Sequence, residues 1–377
     1  MIPSTREEAL AALEDFVPRM PAYAAGRNYV GRPAVSLLSA AIRHRLILEE
    51  EVVERSLAAH PFSRIEKWLQ EMVWRTYWKG WLEARPGVWD SFVQRVDDLR
   101  THQPTDVLKR ADDVAAGRSG VAAMDRFARE LLETGYVHNH ARMWWASFWI
   151  HVERLPWELG AAHYLEHLND ADPASNTLSW RWVAGLQTKG KTYLVRRSNL
   201  EKYCDSLESD GLERLEDGRV SAVEVHEYAD LNVRPLVPVE SGGPDAPCVL
   251  WLHEDDLLPE VGPLASARPT FVVAIGPTAD RVSRFRRTAM DDGLRRASAH
   301  FGCPAHVVSS VDEFVGLSGG RPVVAFAPFV GPAQALAAEL QSRVSCTFVR
   351  RAWDERHFRR ATRGFFPFWA AVSKELK

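Results

Sequence analysis

The hydrophobic period of this chain changes once along its length, and that change limits the folds it can adopt. Over residues 1–205, apolar side chains recur at three- and four-residue spacing in segments 5–16, 34–58, 62–83, 121–134, 139–152 and 156–169, with almost no alternating pattern. Such spacing predicts amphipathic helices. Ser4 with Glu7, and Thr5 with Glu8, offer capping boxes for the first of them. From Cys248 onward the apolar residues come in short runs, Cys248–His253, Thr270–Ile275, Ala305–Ser309, Pro322–Phe326 and Ser345–Arg350, separated by helical segments such as Arg281–His300 and Ala333–Val344. Buried strands alternating with helices predict a doubly wound parallel sheet. Between the two parts lie a polar stretch from Asp205 to Glu240 and the linker-like Ser241–Pro247. The expected organisation is a mainly α domain over 1–205, a connecting segment over 206–247 and a Rossmann-like α/β domain over 248–377. No GxGxxG follows the first strand, so the dinucleotide fingerprint is missing there.

Composition narrows the function classes. The 377 residues are 46% hydrophobic and 26% charged with a net charge of −3, ordinary values for a soluble globular chain with a sizeable core. Met1–Phe16 lacks the basic-then-apolar layout of a secretory signal, and the apolar run Pro322–Ala338 is broken by Pro328, Gly331 and Pro332. A cytoplasmic protein with no membrane partner is expected, and a monomer. Cys204, Cys248, Cys303 and Cys346 form no CxxC pair, which argues against a zinc or iron–sulfur site and against a disulfide framework, and predicts buried thiols. Two segments are locally basic, one with Arg281, Arg284, Arg286 and Arg287, the other with Arg350, Arg351, Arg356, Arg359, Arg360 and Arg363; solvated helix faces are the expectation for both. His163 and His167 stand four apart on a predicted helix, but no third ligand completes a metal site, so no metal is expected. Asp256, Asp291 and Asp292 read as loop and helix-cap carboxylates; Asp354, Thr362–Phe366 and Trp369 either pack back on the helical domain or belong to an ordinary terminal helix, and the latter is the expectation.

The helical part also holds a set of polar residues that no hydrophobic period requires. Gly135–Met143 reads GYVHNHARM, Asn169–Asn176 reads NDADPASN, and Trp180-Arg181-Trp182 follows. Such a set inside an apolar region suggests a buried polar pocket. Upstream, Tyr23 and Arg27 precede Ser36-Leu37-Leu38-Ser39 at a helix start, where hydroxyls and free N–H groups either cap the helix or cradle a phosphate. Glu71 and Arg75 share a helical face beside Trp74, an arrangement that fits either a surface salt bridge or a site. Eleven of the 14 Trp fall within 1–205, serving as core or as stacking surface.

Taken together, these segments resemble the flavin-binding helical domain of the photolyase/cryptochrome family over about residues 20–185. The family's pattern maps onto Tyr23, Ser36, Leu38, Ser39, Glu71, Trp74, Arg75, Asn139, Arg142, Met143, Asp170, Asp172, Asn176, Trp180 and Trp182. The resemblance implies FAD as cofactor, with Tyr23, Ser36, Leu38 and Ser39 at its diphosphate and Arg75 and Asn139 among its contacts. It implies an Arg142–Asp170 ion pair over the isoalloxazine ring, Asp172 on the ring's polar edge and Asn176 facing N5, where an amide adapts to either protonation state. On the lesion side, Glu71, Asn139, Met143, Trp74 and Trp182 resemble the pocket of enzymes that split cyclobutane pyrimidine dimers, which needs polar partners for thymine edges and aromatic walls for its faces. His at the positions of Asn139 and Met143 marks relatives that act on the other photoproduct, so the cyclobutane lesion is the expected substrate and damaged DNA the expected partner.

The implied activity is light-driven repair by electron transfer from reduced FAD, with Trp180 and Trp157 as the first two members of a tryptophan relay. No equivalent of the outer relay Trp occurs between Pro86 and Gly135 beyond Trp89; Trp144, Trp149 or a Tyr are the candidates. Val35 and Leu37 replace a Thr and an Arg common in the family, Thr177-Leu178-Ser179 replaces a small Asn/Gly-rich loop, and His140 replaces a basic residue that touches DNA phosphate. These departures leave a flavin photoreceptor without repair activity as the alternative. The basic edge of Gln187–Tyr203, with Lys189, Lys191, Arg196, Arg197 and Lys202, offers partial compensation for DNA. The family places its α/β domain first; here the corresponding part ends the chain, as in a circular permutation, and its compactness leaves little room for an antenna chromophore.

Overall fold

A computed structural model of the chain describes residues 2–31, 34–188, 190–239, 247–276 and 284–377. Most of the expected linker Ser241–Pro247, together with Lys189 and Arg281, lies outside the described residues. The helices preceding the sheet are α1 (Arg6–Phe16), α2 (Tyr23–Gly26), α3 (Ser39–Arg43), α4 (Glu49–Ala59), α5 (Phe62–Glu83), α6 (Gly87–His102), α7 (Thr105–Ala115), α8 (Ala122–Thr134), α9 (Asn139–Ser147), α10 (Trp157–His167), α11 (Pro173–Val183) and α12 (Arg197–Tyr203). The sheet follows as β1 (Cys248–Leu252), β2 (Pro269–Ile275), β3 (Ala305–Val308), β4 (Val323–Phe326) and β5 (Cys346–Val349). Its helices are α13 (Arg284–Phe301), α14 (Val311–Ser318), α15 (Pro332–Gln341), α16 (Ala352–Phe358) and α17 (Phe365–Leu376). A mainly helical part followed by a parallel α/β sheet is the fold class that the period change predicts. No described helix is long and apolar enough to cross a membrane.

All four strand pairings are parallel, in the order β3-β2-β1-β4-β5. The central strands β1 and β4 are buried along their full length, which is why their sequences run apolar without alternation. Helices α13, α14 and α15 connect β2 to β3, β3 to β4 and β4 to β5. The described residues between β1 and β2 contain no helix, only turns.

Contacts divide the chain into two compact units that do not follow its linear order. The first comprises 1–21, 36–85 and 233–377; the second comprises 22–35 and 86–232. In the first, the sheet core is built on Val249, Trp251, Val273, Phe314 and Ala325. In the second, a core of Phe127, Trp144, Trp145, Phe148, Trp149 and Trp180 fills the space among α6 to α11.

Several local expectations change. Thr5 and Glu8 do form the capping box of α1, but the segment 34–58 is not one helix. Arg45 adopts a left-handed backbone, φ 53°, which stops α3 after five residues, and α4 begins afresh at Glu49 with three acidic residues in its first turn. The helix expected over 139–152 is α-helical only to Ser147, and Phe148–Val152 is a π-helical turn. α6 and α7 arise where no helix was expected; α6 buries Val88, Phe92, Val96 and Leu99 along one narrow stripe. Only Cys204 and Cys248 are buried; Cys303 and Cys346 are half-buried.

The C-terminal stretch is not an ordinary terminal helix. Within the first unit it packs along α5: Phe365 stacks on Trp74 with ring centroids 3.4 Å apart, and Trp369 stacks on Phe62 at 6.2 Å. Tyr77 Oη donates to the Arg363 carbonyl at 2.8 Å, Arg85 donates to the Thr362 carbonyl at 2.8 Å and Trp353 Nε1 donates to Thr76 Oγ1 at 3.0 Å. Neither basic segment is a simple solvated face. Arg351 is buried on Asp256, Arg286 pairs with Glu254, Arg350 and Arg359 pair with Glu355, and Arg356 and Arg360 pair with Glu375. Asp256 is a loop carboxylate, but a buried one, and Asp292, within α13, is buried and accepts from Arg295, Arg296 and the Arg6 backbone N–H.

Candidate functional site

In the second unit, the polar set singled out from the sequence comes together around the starts of α9 and α11. α8 ends at Gly135, whose left-handed φ of 68° turns the chain toward His138, the N-cap of α9. Arg142, one turn into α9, donates to both oxygens of Asp170 at 3.2 and 3.0 Å and through Nε to the Val137 carbonyl at 2.8 Å. The carboxylate opposite it keeps the guanidinium charged despite burial, and Arg142 in turn sits 5.9 Å from the Tyr136 ring. Burial pushes the Tyr136 phenol up to about 12, so it stays neutral.

The segment after Asp170 is strained. Ala171 has φ 25°, one of four non-glycine residues with positive φ among the described residues, and it lies between the two aspartates. Asp172 then caps α11, accepting from the Ser175 N–H at 2.9 Å with Pro173 in the first turn. Asn176, one turn on, is buried and its Nδ2 donates to the Ala161 carbonyl at 2.8 Å. That bond orients the amide and leaves Oδ1 as its acceptor.

Trp180 is buried beyond Asn176, with ring centroids 5.3 Å from Tyr164, 6.0 Å from Trp145 and 6.4 Å from Trp149. Gly160 makes this approach possible, because a Cβ there would stand 2.7 Å from Trp180 Cζ3 and 3.0 Å from Trp149 Cε2. Trp157 stacks on Phe92 at 5.6 Å. Of the candidates for an outer relay member, Trp149 and Tyr164 neighbour Trp180, whereas Trp144 sits with His140 at 4.3 Å. Gly160, Tyr164 and Trp145 were missed in the sequence; a glycine in the middle of a predicted helix was the available signal. Asn139 is exposed at the start of α9, Met143 is half-buried, and Trp182 is half-buried with Tyr193 at 5.4 Å.

The polar stretch after Asp205 folds along this unit. Val223 N–H donates to His151 Nδ1 at 3.1 Å while His151 Nε2 faces the Val183 carbonyl at 3.1 Å; Arg181 donates to Glu227 at 2.9 Å and stacks of charge continue with Arg95 over Tyr228 at 4.9 Å. His140 is turned inward as well. Its Nδ1 faces the Asn28 carbonyl at 3.0 Å, its Nε2 faces Tyr193 Oη at 3.4 Å, and burial lowers its proton affinity. His163 and His167 touch each other at 4.5 Å, and no group of three His, Cys, Asp or Glu among the described residues could hold a metal. Tyr23 is half-buried on α2.

In the first unit, Ser36, Leu38 and Ser39 form a turn that runs into α3. Ser36 Oγ accepts the Leu38 N–H at 3.3 Å, Leu37 is left-handed with φ 59°, and Arg75 Nη2 donates to Ser39 Oγ at 3.0 Å. Arg75 therefore reaches from α5 to the serine turn, and Glu71 pairs with Lys67 at 2.7 Å one turn earlier. Trp74 and Glu71 are half-buried. One face of Trp74 carries Phe365, and Tyr77 and Trp78 lie against the ring with centroids at 5.5 and 5.2 Å.

Residues 68–212 match the sequence pattern of the FAD binding domain of DNA photolyase. A deoxyribodipyrimidine photo-lyase from Streptomyces griseus is 31% identical over 173 residues, covering 45% of this chain and 36% of that protein. A second from Agrobacterium fabrum is 31% identical over 196 residues, covering 47% of this chain and 37% of that protein. Among solved structures, a bacterial class III photolyase from Agrobacterium tumefaciens is similar at 28% identity and a TM-score of 0.46, over 53% of this chain and 42% of that one. The chain thus spans 36 to 37% of the length of these two sequence relatives.

Proposed function

From the membership of residues 68–212 in the photolyase FAD-binding domain family, we propose that this protein holds FAD and uses it to split cyclobutane pyrimidine dimers in DNA under light. The observation that carries the proposal is the Arg142–Asp170 ion pair with the strained Ala171 joining Asp170 to Asp172. Two carboxylates and a guanidinium held in this way form a polar wall of fixed charge, and an unfavourable φ persists only where its surroundings over-determine it. The donor set fits a flavin: an ion pair to lie over the ring, a carboxylate for its imide N–H, an amide for N5, and serine hydroxyls for a diphosphate.

When bound, FAD supplies light absorption and the electron that opens the dimer; the protein supplies orientation and charge. Arg142, paired with Asp170, would lie over the ring and balance its negative charge, and Asp172 would accept from its polar edge. Asn176, with Nδ2 committed to Ala161, presents Oδ1 as an acceptor suited to a protonated N5. Tyr23, Ser36, Leu38, Ser39, Arg75 and Asn139 complete the cofactor contacts, and Trp180 and Trp157 belong to the path that returns electrons. Glu71, Asn139, Met143, Trp74 and Trp182 meet the lesion. The order of the parts, helices first and sheet last, supports a reading of the C-terminal 248–377 as the α/β domain of that family in permuted position.

The second reading is a flavin photoreceptor without repair activity. His140, at a position of DNA contact in the family, is buried, and that burial lowers its proton affinity against the opposing pull of the Asn28 carbonyl, which weakens it as a charge for a phosphate. Phe365 also occupies a face of Trp74. Illumination of the flavin-loaded, reduced protein with DNA carrying a defined cyclobutane dimer separates the two readings. Loss of dimer is expected; a flavin-loaded protein that leaves the dimer intact assigns the photoreceptor, and a protein that takes up no flavin overturns both.

A further inference from the structure

We infer that Asp256, acting through Arg45, is a positioning residue for the Ser36–Ser39 turn, so that the loop after β1 sets the shape of the segment assigned above to the FAD diphosphate. The inference rests on that assignment. Helix α3 is five residues long and its N-cap, Leu38, makes no side-chain cap bond, so it has little stability of its own. Left-handed Leu37 and Arg45, with φ 59° and 53°, bracket it. Two such residues around a single helical turn persist only if tied from outside.

The ties are visible at both ends. Arg75 holds Ser39 at the start. At the end, Arg43 pairs with Asp255 at 2.7 Å and donates to the Glu254 carbonyl at 3.1 Å, while His44 Nδ1 lies 2.8 Å from the same carbonyl. The Leu257 N–H donates to the His44 carbonyl at 3.0 Å, and Arg45 Nη1 donates to Asp256 Oδ2 at 2.9 Å. Asp256 is itself immobilised, taking Arg351 through both oxygens at 2.6 and 2.7 Å and the Leu258 N–H at 3.2 Å. The chain from the end of β5 through Arg351 and Asp256 to Arg45 is therefore continuous and buried, and only the short α3 separates it from the serine turn.

The place of this contact in the fold supports the same role. Strand order reverses between β1 and β4, where an open parallel sheet receives its ligand at the carboxyl ends of the strands. Here that position is occupied by the chain: the Asp255 carboxylate accepts the Phe329 N–H at 2.9 Å, His253 Nε2 lies 2.9 Å from the Phe326 carbonyl, and Arg45 sits 5.0 Å over the Phe329 ring. The sheet end holds α3 where a ligand would otherwise lie.

The test combines FAD affinity with amide hydrogen exchange of the apoprotein. Asp256→Asn is expected to weaken FAD binding about tenfold and to speed exchange at residues 36–43, and Arg43→Lys to do both to a smaller degree. Arg45→Lys, which keeps the charge but loses the fork that reaches Asp256, is expected to act as Asp256→Asn does and serves alone should that variant fail to fold. Phe314→Leu, in the sheet core, is the control: an equal loss of thermal stability should leave FAD affinity and exchange at 36–43 unchanged. Unaltered FAD affinity in the folded variants, unaltered exchange at 36–43, or an equal loss in Phe314→Leu overturns the inference. A wild-type protein that binds no FAD defeats the assignment of the turn instead, and exchange at 36–43 still decides whether Asp256 shapes it.

Discussion

Arg45 donates to both carboxylate oxygens of Asp354 at 2.7 and 2.6 Å, with both residues almost fully buried and 309 positions apart in the chain. Around them, Arg43, Arg45 and Arg351 face Asp255, Asp256, Asp354 and Glu49 in the interior of the first unit. Charges this deep add little over a well-packed apolar core while intact, but removing one partner strands the others. Arg45→Met leaves Asp354 and Glu49 without it and is expected to cost ~3–5 kcal/mol. Asp354→Asn leaves Arg45 its Asp256 and Glu49 and should cost less. Urea unfolding of the two variants checks the order; equal losses would count against Arg45 as the hub.

Glu83, half-buried at the end of α5, accepts the Val330 N–H at 2.7 Å, and loss of solvent around it raises its carboxyl to about 7. A folded value above the unfolded one means that the folded state keeps a proton the unfolded state has lost. Its stabilising contribution is therefore full below the unfolded value near 4.5, declines as pH rises, and is gone above about 7. Gln at this position resembles the protonated form. The stability of Glu83→Gln relative to wild type should rise by up to ~3 kcal/mol between those limits and stay level above them. A pH-independent difference in denaturation free energy would contradict the assignment.

Gly160 lies in α10 under the rings of Trp180 and Trp149. Ala is the better helix former by ~1 kcal/mol, yet a methyl group here meets Trp180 well inside contact distance. Gly160→Ala is expected to lower stability by ~1–3 kcal/mol through overpacking and to alter the near-ultraviolet circular dichroism of the Trp cluster. A stabilised variant would mean that the rings yield.

The strands were legible because β1 and β4 are buried on both faces and so run apolar without a break. The polar cluster of the candidate site was legible because Arg142, Asp170, Asp172 and Asn176 interrupt an apolar helical pattern at fixed offsets. What escaped depends on partners far along the chain. The apolar spacing of Phe365, Phe368, Trp369 and Val372 marks a buried helical face, but nothing local reveals α5 as its partner. Asp256 looked like a loop carboxylate since its two arginines lie 211 and 95 residues away. The break at Arg45 escaped for a related reason: its left-handed backbone is imposed by long-range ion pairs, and no glycine or proline announces it.

Leu37 is the other left-handed residue beside α3, and it is not branched at Cβ. Leu37→Gly removes the clash of Cβ with the following carbonyl and should leave stability unchanged or raise it by ~1 kcal/mol. Leu37→Val adds branching where φ is positive and should lower stability by ~1–2 kcal/mol. Thermal unfolding of both variants provides the measurement, and a loss in the glycine variant larger than in the valine variant would show that Leu37 matters through packing instead.

Arg142 and Asp170 depend on one another in a way that allows the cofactor assignment to be examined separately from folding. Asp170 holds 8% of its side-chain surface exposed and Arg142 21%, so neither is sealed as Arg45 is, and water can reach the guanidinium if its partner is lost. Asp170→Asn keeps size and hydrogen-bonding capacity but removes the charge; Arg142→Met keeps the stem and removes the head. Each single change should lower stability by ~1–3 kcal/mol, the range for hydrogen bonds to charged groups. On the proposed assignment both should also lower flavin content, Arg142→Met the more severely, since it removes the positive charge proposed to lie over the ring while the negative one stays. Flavin absorbance per purified chain, read beside thermal stability, gives the test. Stability losses of this size with full flavin content in both variants would make the pair structural and remove the observation on which the proposed function stands.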